Sequence, residues 1–275
     1  MRILVTNDDG IDSVGLHELA RAMVPHGEVL VVAPDSEYSG ASAAFGALHM
    51  IKPEIRESHI DGVPKTFTVS GPPALCVLFT RLGVFDFVPD LIVSGINPGA
   101  NVGRSVYHSG TIGAALTGRN GGIPGIAVSQ DVSGSVEGQG WEDMLTNQLW
   151  ATAAHVASVI VDGFVAKMPP GDAVLNVNVP NLAIDELKGW RYTEIGTVPN
   201  RSVGVAKLEP RPGHTGSYWA EMTWGEPVDI PDHLDGGAVA AGYVALSWLS
   251  KIVHEPRHDH GVDDVLSALI PHRPV

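Results

Sequence analysis

The chain has 275 residues and an acidic composition, with 17 Lys or Arg against 31 Asp or Glu and a formal net charge of −14. This charge argues against binding to the phosphate backbone of a nucleic-acid duplex and against docking on an anionic membrane. The single cysteine, Cys76, permits no internal disulfide, and the apolar run at residues 3–5 is too short for a signal peptide. We therefore expect a globular cytoplasmic protein, built as one large domain or two modest ones.

The chain opens with a predicted strand that ends in two carboxylates. Residues 3–5 are aliphatic, as in a strand buried on both faces of a parallel sheet, and Asp8 and Asp9 follow them. Apolar residues then recur at helical spacing over residues 16–23, and a second apolar strand covers residues 29–33. A strand, a helix and a strand within about 35 residues predict a right-handed crossover, so both strands should be parallel and end at one edge.

The alternation continues less regularly after residue 34. Residues 35–44 predict a loop, and the region up to residue 69 is ambiguous, with irregular strands or hairpins as the expectation. A third apolar strand at residues 90–95 leads into a glycine-rich loop at residues 97–103. The other predicted elements are a weak helix at 76–82, a helix at 112–116, a strand at 124–129, a flexible loop at 131–140, a helix at 145–160 and a strand at 173–179.

Helices become scarce beyond residue 181. Strand-like segments at residues 190–195, 217–224 and 242–249 alternate with loops rich in Pro and Gly, and residues 261–269 predict a closing helix. The pattern predicts an α/β core with a mostly parallel sheet, followed by an antiparallel, β-rich appendage.

The pair Asp8 and Asp9 is a candidate metal site. The dipeptide alone has a simpler explanation, in which one aspartate caps the following helix and the other is solvated. Three predicted strands, however, deliver this pair, the loop carrying Ser39, and Asn97 to the same edge of the sheet, where open α/β folds bind ligands. Oxygen ligands of this kind suit Mg²⁺ or Mn²⁺ rather than zinc.

Ser109, Gly110 and Thr111 precede a predicted helix and are candidates for phosphate binding. Free backbone amides and hydroxyls at a helix start attract anions, although the hydroxyls could equally well serve only as caps. The loop at residues 97–103 could be an ordinary turn, and it matches neither a Walker A loop nor the dinucleotide glycine pattern. Both segments therefore remain open on these residues alone.

Three other features support no site. We interpret the group of His254, His258, Asp259 and His260 as a solvated loop rather than a metal cluster, because its spacing fits no helical ligand pair. Cys76 lies in an apolar segment and is expected to be a packed thiol. No serine stands in a Gly-x-Ser-x-Gly elbow.

Four motifs in order resemble those of the SurE-type survival proteins, which are metal-dependent nucleotidases. The motifs are Ile-Leu-Val-Thr-Asn-Asp-Asp-Gly-Ile at residues 3–11, Val-Ala-Pro-Asp at 32–35 with Ser-Gly-Ala-Ser at 39–42, Val-Ser-Gly-Ile-Asn at 93–97 followed by Gly99, Asn101 and Gly103, and Ser-Gly-Thr at 109–111. The resemblance is continuous over the first half of the chain and looser at residues 175–180 and 235–244.

The resemblance implies a single α/β domain over residues 1–275. Its Rossmann-like, three-layer core would occupy residues 1–180, and residues 181–260 would form an extension with an antiparallel hairpin, used to build a homodimer or homotetramer. One Mg²⁺ or Mn²⁺ ion per subunit would be held by Asp8, Asp9, Ser39 and Asn97, with Asp8 and Asp9 catalytic. The residues expected around the substrate phosphate are Asn7, Gly40, Ser42, Asn101, His108, Ser109, Gly110 and Thr111.

The chain departs from the family pattern near the expected phosphate pocket. Ser105, His108 and Thr117 stand where the family usually has an acidic residue, a tyrosine and a glutamate. Late in the chain, Ala245, Ser247 and Trp248 replace a typical Ser, Thr and Pro. We expect His108 to alter substrate preference or pH dependence, because it can add a donor or a cation beside the phosphate.

The sequence thus predicts a divalent-metal phosphomonoesterase that hydrolyses nucleoside 5′- or 3′-monophosphates, without duplex nucleic acid or membrane as a partner. Two alternatives stay open: a non-catalytic protein that binds nucleotide or phosphate, and a phosphatase for non-nucleotide esters.

Overall fold

The computed structural model describes residues 1–48, 50, 52–132, 145–197, 203–224, 228–250 and 252. The histidine group at residues 254–260, the predicted helix at 261–269 and most of the predicted flexible loop at 131–140 lie outside this range. No helix in the described part has both the length and the apolarity to cross a bilayer.

The described chain forms a layered α/β structure. The strands are β1 (Arg2–Thr6), β2 (Glu28–Pro34), β3 (Ile55–Ser58), β4 (Lys65–Val69), β5 (Leu91–Pro98), β6 (Gly125–Gln130), β7 (Val174–Val179), β8 (Trp190–Tyr192), β9 (Val203–Pro210), β10 (Tyr218–Trp224) and β11 (Val244–Leu249). The α-helices are α1 (Val14–Met23), α2 (Pro73–Arg81), α3 (Gly110–Arg119), α4 (Trp150–Ala166) and α5 (Asp235–Ala240).

One sheet holds nine of the described strands, in the order β3-β4-β2-β1-β5-β6-β7-β11-β8. The six strands from β4 to β7 run parallel, which confirms the predicted parallel pairing of β1 and β2. The chain adds β2 on one side of β1 and later adds β5 on the other side. The carboxyl ends of β2, β1 and β5 are therefore neighbours. Because the chain extends the sheet to opposite sides of β1, a crevice is left at these carboxyl ends.

The helices cover both faces of this sheet. Ile3 and Val5 pack with residues of α1 and α4 on one face, while Leu4 packs with residues of α2 and α3 on the other. Leu16, one of the apolar residues that predicted α1, is fully buried. Burial on both faces explains why β1 is an unbroken aliphatic run.

The C-terminal extension is less separate than predicted. β11 pairs antiparallel with β7, and β8 pairs parallel with β11, so both strands belong to the main sheet. In the described part of the extension, only β9 and β10 form the expected antiparallel hairpin outside that sheet. The short helix α5 was not predicted. The ambiguous region before residue 69 contains β3 and β4, which extend the sheet at its other edge.

Candidate active site

Asp8 lies at the end of β1 and is held by the start of α3. Its residue surface is 2% exposed. Oδ2 accepts a hydrogen bond from the backbone N–H of Gly110 at 3.0 Å, and Oδ1 accepts one from the Thr111 hydroxyl at 2.5 Å. A Cβ on residue 110 would lie 2.8 Å from Asp8, so only glycine permits this approach. The positive end of the α3 dipole therefore faces the carboxylate.

Asp9 is half-buried, and its neighbour Asn7 is fully buried. Within the described structure, the buried oxygens Asp9 Oδ2 and Asn7 Oδ1 accept no hydrogen bond. The orientation of the Asn7 amide is fixed, because its Nδ2 donates to the Gly10 carbonyl at 3.0 Å. Burial and repulsion from Asp8 and Glu37 raise the pKa of Asp9 from its ordinary 3.8 to about 8.

Asn97, at the end of β5, places another acceptor near the Thr111 hydroxyl that binds Asp8. Its Nδ2 donates to the Gly99 carbonyl at 2.7 Å, which fixes the amide orientation and leaves Oδ1 3.3 Å from the Thr111 hydroxyl oxygen. That hydroxyl has one proton, which cannot serve both Asp8 Oδ1 and Asn97 Oδ1. The site therefore has more acceptor oxygens than donors, which is the environment that a cation stabilises.

The loop after β2 brings Ser39 over the same crevice. Tyr38 donates its backbone N–H to the Asp8 carbonyl at 2.7 Å, and Ser42 donates its own to the His108 carbonyl at 3.1 Å. Ser42 has a φ of 51°, a left-handed conformation that is uncommon outside glycine. Ser39 is exposed and lies between these two anchor points. The loop thus spans from β1 to the residues before α3.

These residues fit a hard divalent cation. The described chain contains no group of three or more His, Cys, Asp or Glu residues that could hold a metal. The crevice instead offers two carboxylates together with hydroxyl and amide oxygens, and unpartnered acceptors lie among them. An oxygen set of this kind favours Mg²⁺ or Mn²⁺ and leaves coordination positions for substrate and water.

The residues expected to bind phosphate differ in their hydrogen bonds and in their exposure. Ser109 caps α3, since its Oγ accepts from the Ile112 N–H at 3.1 Å, but its own proton stays free to donate. Thr111 is committed to Asp8. Gly40 has a φ of 82° and open space where a Cβ would be, and the His108 residue is exposed. Ser109, Gly40 and His108 therefore remain candidates for contact with a phosphate.

Buried side chains of β6 and β7 form hydrogen bonds with Asn101. Its N–H donates to Asn178 Oδ1 at 2.7 Å, its carbonyl accepts from the Asn176 amide at 2.9 Å, and its Nδ2 contacts Ser129 Oγ at 2.9 Å. These contacts hold the loop at residues 97–103 in place. The expected contact of Asn101 with phosphate stays a prediction, because the Asn101 side-chain nitrogen already donates to Ser129.

Sequence reasoning missed the residues that hold this loop. Asn176 and Asn178 are spaced by two in an apolar strand, which signals a polar patch on one strand face and could have been detected. Asp235 is 1% exposed and accepts a hydrogen bond from the Gly103 N–H at 2.8 Å. The loose family resemblance at residues 235–244 begins at this aspartate, but it does not reveal the contact, because the partner is 132 residues away.

A second hydrogen-bonded set resembles a hydrolase triad only in its connectivity. His26 Nε2 lies 2.8 Å from Ser158 Oγ, and Nδ1 lies 3.1 Å from Asp162 Oδ1. Ser158 and Asp162 are one turn apart inside α4, where backbone N–H groups bond within the helix and offer no oxyanion hole. These contacts tie the turn after α1 to α4.

Comparisons with known proteins show the family to which this chain belongs. Residues 3–201 match the family model described as "Survival protein SurE". The chain belongs to the SurE family. The "5'-nucleotidase SurE" of Aeromonas hydrophila subsp. hydrophila is 36% identical over 254 residues, covering 91% of this chain and 92% of the relative. The "5'-nucleotidase SurE" of Xanthomonas axonopodis pv. citri is 39% identical over 248 residues, covering 90% of this chain and 88% of the relative.

A solved SurE structure also resembles this one. The crystal structure of the SurE protein from Aquifex aeolicus has a TM-score of 0.73 and 31% sequence identity, and the match covers 98% of this chain and 99% of that one. The SurE fold therefore extends into the second half of the chain, where the sequence motifs were weaker.

The metal-free form of this SurE family member should lose stability as pH rises because of Asp9. The pKa of Asp9 is about 8 when folded and 3.8 ordinarily, so the folded state binds the extra proton between these values. Its stabilising contribution is complete below about pH 4 and is lost as pH rises through about 8. Urea unfolding with chelator should show Asp9→Asn gaining stability relative to wild type from pH 5 to pH 8. A stability difference that does not change with pH would contradict this assignment.

Proposed function

We propose that this SurE family member is a divalent-metal-dependent phosphomonoesterase acting on nucleoside 5′- or 3′-monophosphates. The observation that carries the proposal is the excess of acceptor oxygens at Asp8, Asp9 and Asn97, beside the positive end of α3. The names of the curated relatives support the same reaction class.

Asp8, Asp9, Ser39 and Asn97 would hold one Mg²⁺ or Mn²⁺ ion per subunit. When bound, this ion supplies charge neutralisation and polarisation at a phosphoryl group. The chain prepares the site by fixing the Asn97 amide and by orienting Asp8 through two hydrogen bonds. The ligand geometry is thus set before substrate arrives, which avoids reorganisation during the reaction.

The surrounding donors would orient the substrate phosphate. We assign this role to the Ser109 hydroxyl, to the loop containing Gly40 and Ser42, and to His108. Both oxygens of Asp8 are engaged by α3, whereas Asp9 Oδ2 has no described partner. We therefore assign proton transfer from the attacking water to the Asp9 carboxylate, with Asp8 as the oriented partner.

The hairpin of β9 and β10 would serve assembly. Leu208, Tyr218 and Met222 alternate onto one face of it and are 71%, 56% and 61% exposed. A two-stranded hairpin is at best marginally stable in water by itself, so an apolar face of this kind suits a contact between subunits. We propose that this contact builds a homodimer or homotetramer. We also propose a cytoplasmic location, which suits the buried free thiol of Cys76.

Changing the apolar hairpin face to serine at Leu208 and Met222 should dissociate the assembly. Both side chains are exposed within one subunit, so the fold of the core should not depend on them. Light scattering coupled to gel filtration would measure the mass. An unchanged oligomer in the double variant would show that other residues make the subunit contact.

A phosphatase panel with and without chelator tests the proposed activity. Wild-type protein with Mn²⁺ should release phosphate from nucleoside monophosphates, and chelator should stop the release. Turnover of sugar phosphates alone would favour the alternative of a non-nucleotide phosphatase. Nucleotide binding without turnover across the panel would favour a binding protein.

A further inference from the structure

We propose that Asp235 is a positioning residue for the proposed phosphatase. It lies at the first position of α5, in the C-terminal extension, and is 1% exposed. Its Oδ2 accepts a hydrogen bond from the Gly103 N–H at 2.8 Å. Its Oδ1 accepts from Gly196 at 3.0 Å and from Gly236 at 2.9 Å. One buried carboxylate thus joins the loop at residues 97–103 to two points of the extension.

Gly103 occupies a critical position in the loop at residues 97–103. The segment begins with Asn97, whose Oδ1 lies 3.3 Å from the Thr111 hydroxyl oxygen, and it continues through a 3-10 turn (Gly103–Tyr107) to Ser109 and α3. Gly103 has a φ of 55°, which favours glycine. Because this turn connects Asn97 to the residues that hold Asp8, a displaced Gly103 changes the spacing between two parts of the site.

A second contact strengthens the connection to the extension. Ala100 packs against a small buried cluster that includes Ala238 and Val239 of α5. Asp235 provides the directional part of this interface, since both its oxygens accept N–H bonds. A carboxylate can accept all three bonds, whereas an amide cannot. Only the expected effect on catalysis rests on the proposed function. The role of Asp235 in holding the loop rests on the contacts described above.

Asp235→Asn removes the contact to Gly103 selectively. An Asn oxygen directed at Gly196 and Gly236 keeps two bonds, and its NH₂ group then faces the Gly103 N–H, where it cannot accept. We expect kcat on the best nucleotide substrate to fall about ten- to a hundredfold, because small misplacements in a site have effects of this size. Amide exchange in a peptide covering residues 97–109 should become about tenfold faster in the metal-free protein.

Thr193→Val is the matched control. It removes a hydrogen bond of 2.9 Å to Ser247 Oγ in the same extension without touching the loop. It should lower the melting temperature but leave kcat and the exchange of residues 97–109 unchanged. If Asp235→Asn does not fold, Asp235→Ser, which is too short to reach Gly103, takes its place.

The two readouts separate the possible failures. Faster exchange and lower kcat in the Asp235 variant alone would support the proposal. Equal exchange and equal kcat in both variants, measured well below their melting temperatures, would overturn it. A wild type without phosphatase activity would overturn the proposed function, and the exchange rates would then still decide whether Asp235 holds the loop.

Discussion

Asp9→Asn should abolish metal-dependent phosphate release and leave the fold intact. Asp9 Oδ2 is a buried acceptor without a partner in the described structure, so an amide at this position relieves repulsion instead of breaking a contact. Loss of one proposed carboxylate ligand and of the assigned proton acceptor should lower kcat by about three orders of magnitude, or ~4 kcal/mol of transition-state stabilisation. Steady-state kinetics and circular dichroism would measure activity and fold.

The same variant should lose its thermal response to metal. Mn²⁺ at one hundred times its dissociation constant should stabilise the wild-type protein by about 2.7 kcal/mol, and Asp9→Asn by much less. Asp12→Asn is the matched control, because Asp12 is an exposed carboxylate of the same segment. Asp12→Asn should keep both activity and the metal response. A fully active Asp9→Asn variant would exclude Asp9 from the site.

Gly113→Ala should impair the site through the loop that carries Ser39. A Cβ on residue 113 of α3 would lie 2.1 Å from the Ser42 carbonyl oxygen and 2.6 Å from the Ala43 nitrogen. Backbone atoms cannot rotate out of the way, so the loop must move from α3 and Ser39 must move with it. We expect kcat/KM to fall about a hundredfold.

Gly163→Ala provides the matched control for this substitution. Gly163 lies in α4, and a Cβ there would meet nothing within 4 Å. The control should keep full activity and gain about 0.5–1 kcal/mol of stability, because alanine favours helix over glycine. Denaturant unfolding and initial rates would test both variants. Wild-type kinetics in Gly113→Ala would show that the position of the Ser39 loop does not matter for turnover.

The positions of three central strands and the shared edge of their carboxyl ends could be predicted from the sequence. The apolar runs at residues 3–5 and 29–33 were predicted as strands and lie within β1 and β2, and the predicted strand at 90–95 overlaps β5, which begins at Leu91. Their carboxyl ends are adjacent, as the crossover rule required. The helix predicted at 112–116 is the middle of α3, which begins at Gly110 and extends to Arg119.

The outer part of the sheet could not be predicted. β8 has only three residues, which is too short to show a period, and its partner β11 begins 54 residues after β8 starts, at Val244 against Trp190. Whether such a segment joins the main sheet or forms an appendage depends on which edge is free when the chain folds. In the folded structure β11 pairs with β7 in the antiparallel direction.

The sequence by itself determined the alternation of strands and helices and the arrival of Asp8, Asp9 and Asn97 at one edge, because periodicity and crossover direction are properties of neighbouring residues. Only the tertiary structure decided how those oxygens are partnered. Gly110 approaches Asp8 across 102 residues, and Asp235 reaches Gly103 across 132. Such contacts depend on how whole elements pack, and in the described part of the chain this packing leaves Asp9 Oδ2 without a donor.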